Sequence, residues 1–312
     1  RRAQVSKDDA MIRLSKAEPA GYEFLRSSDI NCRFVNSAVG PDGCLYITDM
    51  YRGIIQDAPW LNPDSRKNIV ANGLDDNNQH GRIWRIRHKD FDPRGKEAMS
   101  PMSAEPTIAL LRHLENPSGW WRDTAQREII LRQDRETVVP HLEAISRFGE
   151  NRLGRLHALW TLEGLGRADL ELLRHVVNDD DPRLRRAAIQ IGEALLVESE
   201  GFDAIARPLI EDRDAEVAKQ LILSLGLYRD HPDTLNVIQQ TARRHPKATG
   251  VQLATTLSLW GMDRLALIEE IRAGTAFDPA TNMVWKNMLG NWQRGLAFPD
   301  DMPKDERRRI TG

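Results

Sequence analysis

Five alanines punctuate the C-terminal two thirds of the chain: Ala125, Ala158, Ala188, Ala218 and Ala254. They are separated by 33, 30, 30 and 36 residues, and each lies in an apolar stretch of helical period. A period in this range belongs to helical hairpins stacked side by side. One hairpin cannot cover its own apolar face. The next hairpin covers it, and a small residue at the crossing lets the helices approach. The spacing predicts one helix type at residues 107–114, 138–145, 170–177 and 205–210. It predicts a partner type at residues 121–130, 153–160, 184–191 and 217–225, with a sixth, degenerate pair over 263–292. Asp179-Asp180-Asp181-Pro182 reads as a helix start, a carboxylate cap followed by proline, and Asp212-Arg213-Asp214 repeats the idea one unit later.

The first hundred residues follow different rules. Short β-prone runs alternate with glycine, asparagine and aspartate turns. Residues 33–39 and 44–49 read as strands joined by the tight turn Gly40-Pro41-Asp42-Gly43, in which proline presets φ and glycine supplies a positive φ. Residues 82–87 alternate apolar and basic side chains as a third strand, and residues 65–71 suit a short helix. The expected organisation is therefore mainly α: a β-rich segment over 1–92, a linker over 93–106, a helical repeat array over 107–300 and a polar tail over 301–312.

Composition excludes several functions. With 312 residues and a formal net charge of -2, the chain has no global basic field, so nucleic acid is not an expected partner. No apolar run reaches the length of a membrane span. The opening Arg1-Arg2-Ala3-Gln4 is not a secretory leader, and the chain is expected to be a piece of something longer. The two cysteines, Cys32 and Cys44, either pair or remain as two half-buried thiols.

Sites of chemistry are sparse. The eight histidines form no His-x-x-x-His or His-Glu-x-x-His pair, and two cysteines are too few for a zinc cage. Asp75-Asp76-Asn77-Asn78-Gln79-His80-Gly81 resembles the opening of a calcium loop. It lacks the glycine at position six and the glutamate at position twelve, and reads as a solvated loop. There is no nucleophile elbow and no phosphate-binding glycine loop. No catalytic or metal-binding residue is therefore assigned. Asp49, Tyr51 and Arg52 follow a strand and are cofactor-binding candidates. The competing reading has Asp49 capping a turn and Arg52 in a salt bridge. Arg122, Arg155 and Arg185 each precede an anchor alanine by three residues. They form either a basic stripe for an acidic partner or a ladder that bonds aspartates and carbonyls of adjacent repeats, with Asp181 and Arg185 placed as an i, i+4 pair. Trp121, Trp160, Trp260, Trp285 and Trp292 fall at core spacing, whereas Trp120 lies in a turn where one face can stay exposed.

Two ordered groups of residues carry a family resemblance. The first is Asp29, Phe34-Val35-Asn36, Val39 with the Gly40–Gly43 turn, Leu45-Tyr46, Asp49-Met50-Tyr51-Arg52-Gly53 and Gly81-Arg82-Ile83-Trp84-Arg85. The second is Asn116-Pro117-Ser118-Gly119-Trp120-Trp121-Arg122 with Ala125-Gln126-Arg127. Together they resemble the end of the β-propeller and the start of the HEAT region in membrane-bound dehydrogenases of the planctomycete type, whose propellers are similar to quinoprotein glucose and sorbosone dehydrogenases. The resemblance implies a HEAT-type α-solenoid preceded by a β-propeller fragment. It implies a periplasmic or cell-envelope location, and a parent protein with pyrroloquinoline quinone (PQQ), calcium and c-type haem. The Cys-x-x-Cys-His haem motif and most blades are absent from this sequence, so no cofactor is expected in this segment.

Two functions follow. In one, the segment is a non-catalytic scaffold whose partners are the other domains of the parent chain and a protein on the solenoid face. In the other, it is the C-terminal part of the catalytic unit of a PQQ-dependent sugar or alcohol dehydrogenase.

Overall fold

The computed structural model describes residues 3–8, 10–55, 58–76, 79–91, 101–277 and 302–311. Most of the expected linker, the middle of the calcium-like loop, Trp285, Trp292 and the end of the sixth helical pair lie outside them. The chain is mainly helical with a small β-rich region near its N-terminus. It divides into two compact units, one of Arg1–Gln4 with Ser15–Arg132, the other of Val5–Leu14 with Gln133–Gly312. A hairpin of β1 (Ala3–Asp8) and β2 (Met11–Lys16) is shared between these assignments, and its apex belongs to the second unit.

The first unit is built on a three-stranded antiparallel sheet of β3 (Phe34–Val39), β4 (Leu45–Asp49) and β5 (Arg82–Ile86), with β4 in the centre. Val39 faces Leu45 across the first pair, and Asp49 faces Arg82 across the second. The turn forms as its residues dictate: Gly43 has φ +77, and the Asp42 carboxylate accepts from the Cys44 N–H at 2.9 Å and the Tyr46 hydroxyl at 3.0 Å. Gly40 is required by space, because the Tyr46 ring lies where a Cβ would go. The helix α1 (Pro63–Ala71) starts on the Asn62 cap, with proline in its first turn.

Two further helices, α2 (Thr107–Leu110) and α3 (Gly119–Arg132), belong to the same unit. The indole N–H of Trp121 donates to the Pro41 carbonyl at 2.9 Å, fixing α3 to the β3–β4 turn. His113 packs on the Trp121 ring and bonds Glu105 at 3.1 Å, so the buried imidazole is partnered on both sides. Trp120 is half-buried and meets Trp121 edge-on.

The second unit contains α4 (Arg135–Phe148), α5 (Arg152–Gly164), α6 (Leu170–Val176), α7 (Pro182–Ile191) and α8 (Ser199–Ile205). It continues with α9 (Ala215–Leu227), α10 (Thr234–Arg244), α11 (Thr249–Met262) and α12 (Arg264–Ala273). Like helices stack on like: α5 on α7, α7 on α9 and α9 on α11 form one row, and α4 on α6 and α6 on α8 form the other. Ala158, Ala188, Ala218 and Ala254 are all buried, as their spacing requires. Asn151, Asp169, Asp181, Asp214 and Asp263 each cap the helix that follows by accepting first-turn N–H groups. Each such cap stabilises its helix by about 1 kcal/mol.

The helix expected over 205–210 is instead split. α8 ends at Ile205 and the chain passes into a 3-10 turn at Arg207–Leu209. Pro208 offers no N–H and its ring clashes with the preceding turn, so the helix stops before it.

Candidate functional site

The residues singled out at the end of β4 play unlike parts. Asp49 is 2% exposed. One carboxylate oxygen accepts from the N–H of Arg33 at 2.7 Å and of Tyr51 at 2.9 Å. The other accepts from the Arg82 guanidinium at 2.8 and 3.1 Å and from the Trp84 indole at 3.1 Å. Burial alone would raise its pKa. The donors from Arg33, Trp84, Arg82 and Tyr51 outweigh burial and hold the carboxyl far below the ordinary carboxylate range. An anion with five donors has no lone pair left for substrate, and its depressed pKa makes it a poor base.

Tyr51 has φ +46, a left-handed conformation that a bulky residue adopts only when its surroundings compel it. Here the compulsion is visible. Its N–H is held by Asp49, and the Arg82 guanidinium lies 3.7 Å from the centre of its ring. Its hydroxyl bonds Asp29, which raises the phenol pKa. Arg52 is exposed. Asp49 and Tyr51 thus belong to one tie that joins β3, β4 and β5. Arg82 and Trp84 are its other members, and their role was readable only through the β4–β5 pairing. Cys32 and Cys44 are both free thiols. Burial and the neighbouring Asp49 carboxylate push the Cys32 thiol up, away from nucleophilic reactivity.

The same sheet makes a pH prediction. Burial would raise the Asp42 pKa, but the Cys44 N–H, the Tyr46 hydroxyl and Arg85 bring it from the ordinary 3.8 down to about 2. A carboxyl depressed by folding contributes stability above its unfolded pKa and loses it as the pH falls through the folded one. Asp49 acts in the same sense. The near-ultraviolet circular dichroism of Trp84 is therefore expected to stay constant down to about pH 4 and to collapse towards pH 2. A midpoint near pH 5 or above would show that these carboxylates are not the groups that titrate.

In the second unit the repeated arginines form a ladder. Arg155 donates to the Ser146 carbonyl at 3.0 Å and pairs with Asp179, in the turn before α7. Arg185 binds Asp212 through two bonds of 2.7 and 2.9 Å and also reaches the Asp179 carbonyl at 2.7 Å. The expected i, i+4 pair of Asp181 with Arg185 does not form. Asp181 caps α7 and pairs with Arg183, because its carboxylate is turned back into the helix start and Arg185 reaches forward to the next turn. Asp179 and Asp181 thus make a two-part device. The first carboxylate takes the arginine of the previous helix in the same row, and the second caps the following one. Asp212 and Asp214 repeat it. In both devices the first carboxylate also accepts the N–H of the second residue, at 2.9 and 2.8 Å. Arg122, in the first unit, bonds the carbonyls of Asn116 at 2.6 Å and Pro117 at 3.0 Å.

A second ladder, not foreseen from the sequence, runs along the other row. Arg147 pairs with Glu171, Arg174 with Glu200, Arg207 with Asp233 and Arg243 with Glu270. The partners are 24, 26, 26 and 27 residues apart. The Arg174–Glu200 rung is largely exposed, whereas Glu270 is fully buried and also bonds Gln239 and Thr275. Among the described residues, no group of three or more His, Cys, Asp or Glu side chains is placed to hold a metal. No helix among them is long and apolar enough to cross a membrane.

Residues 1–90 match a sequence family described as a domain of unknown function, DUF7133. The match covers less than a third of the chain and stops just after β5. No curated protein and no solved structure shows significant similarity to the chain.

Proposed function

We propose that this chain is a non-catalytic scaffold and binding segment of a larger protein, with a HEAT-type α-solenoid following the terminal part of a β-propeller. The observation that carries the reading is the pair of arginine–carboxylate ladders. They spend recurring charges of the helical unit on joining one helical pair to the next, which is structural work. The more exposed rungs, Arg174 with Glu200 and Arg207 with Asp233, alternate in sign along the surface and suit a polar protein partner. In the first unit, Val35, Val39, Ile83 and Trp84 are substantially exposed on a three-stranded antiparallel sheet, as befits a piece of a larger β-assembly.

The parent protein in this reading is a periplasmic, quinoprotein dehydrogenase-like electron-transfer protein whose PQQ, calcium and haem lie in other domains. Mixing the chain with PQQ and calcium and then desalting is expected to leave no quinone absorbance with the protein. Stoichiometric retention would overturn the scaffold reading. It would favour the alternative, in which this segment completes the catalytic unit of a PQQ-dependent sugar or alcohol dehydrogenase.

A further inference from the structure

The β1–β2 hairpin has an apex unlike its stem. Ala10 has φ +58 and is 6% exposed, whereas β1 is exposed throughout and β2 is exposed beyond Met11. A left-handed alanine is strained, and is kept only where something compensates. Arg13 and Asp8 pair across the stem at 3.1 Å, but they are well exposed and add little. The compensation lies on two helices of the same unit. Lys219 of α9, itself steadied by Glu216 at 3.0 Å, donates to the Ala10 carbonyl at 2.7 Å. Gly250 of α11 is buried directly against the apex. A Cβ at Gly250 would come within 2.6 Å of the Ala10 carbonyl carbon and 2.9 Å of its Cβ, and closer still to its oxygen. Glycine is a poorer helix former than alanine. The close approach of another backbone is the physical reason it stands here.

We propose that Lys219 and Gly250 form a notch that receives a tight turn by its backbone, and that the Ala10 hairpin of this chain is its occupant. The two residues divide the recognition. Lys219 reads a carbonyl, which any sequence offers. Gly250 reads size, because only a residue without a Cβ leaves space for the apex backbone, and the Ala10 side chain is itself enclosed. The hairpin is thereby a strap fastened to the α9–α11 pair, and the small residue at position 10 is what allows it to close.

Trypsin tests this on the full chain, since Lys7 and Arg13 are exposed on either side of the apex. Ala10→Gly keeps the carbonyl and suits the positive φ, so cleavage after Lys7 and Arg13 should be as slow as in the wild type or slower. Ala10→Leu, Gly250→Leu and Lys219→Met should each accelerate cleavage at these two sites, by about tenfold where a charged hydrogen bond is lost. Far-ultraviolet circular dichroism should remain unchanged. If Gly250→Leu disturbs α11 itself, Ala10→Leu decides, because it alters only the hairpin. Wild-type cleavage rates in Ala10→Leu would overturn the proposal, as would equal acceleration in Ala10→Gly.

Discussion

Asp212→Ala is expected to destabilise the helical unit by about 3–5 kcal/mol, the cost of stripping a buried guanidinium of its carboxylate. The Asp212 side chain is 4% exposed and that of Arg185 is 16% exposed, so water replaces little of what is lost. The substitution also removes the acceptor of the Asp214 N–H, loosening the residue that caps α9. Glu200→Ala is the contrast. It breaks a rung of the same kind between side chains that are 51% and 75% exposed, and should cost no more than about 1 kcal/mol. Urea unfolding followed at 222 nm measures both. Equal and small effects would mean that the ladder of Arg155 and Arg185 is decorative and that its charges are free for a partner after all.

Asp49→Asn is expected to cost the sheet a comparable amount, about 3–5 kcal/mol, while scarcely changing the shape of the residue. Whichever way the amide turns, its NH2 confronts donors: Arg82 and Trp84 on one side, the N–H groups of Arg33 and Tyr51 on the other. Tyr51 then loses the contact that holds its left-handed backbone, and the end of β4 should fray. Loss of the near-ultraviolet signal of Trp84 at a lower urea concentration than in the wild type is the expected reading. A carboxylate kept for binding a cofactor would behave differently, since its neutralisation would leave stability unchanged or raise it. An unshifted midpoint for Asp49→Asn would therefore favour ligand binding by Asp49.

Much of this architecture was legible because the sequence repeats its instructions. Strands at residues 34–39, 45–49 and 82–86 fell within a residue or so of their expected limits, since alternation and the Gly40–Gly43 turn agree with one another. The anchor alanines and the Asp181-Pro182 helix start were equally plain. α10 is absent from the expected helices, because its buried face includes Thr234 and Thr241, which interrupt the apolar stripe. The tie around Asp49 was half legible. A lone carboxylate after a strand can cap a turn or meet a ligand, and the pairing of Asp49 with Arg82 across β4 and β5, which supports a structural part, is not visible in the sequence. The hairpin at the N-terminus was not foreseen at all. Its strands are exposed and rich in charge, so they lack the inward apolar face that betrays a strand. The second ladder escaped notice because its acidic partners occupy different places in successive helices, Glu171 and Glu200 in first turns, Asp233 before one and Glu270 deep inside another.

The rungs of both ladders link residues only 24 to 27 positions apart. Few closures of long loops are therefore needed before native contacts begin to repay the lost chain entropy. If the proposed solenoid holds, such a chain can begin to order at any helical pair and spread outward, so a lesion at one rung slows its neighbourhood and leaves distant pairs able to assemble unaided.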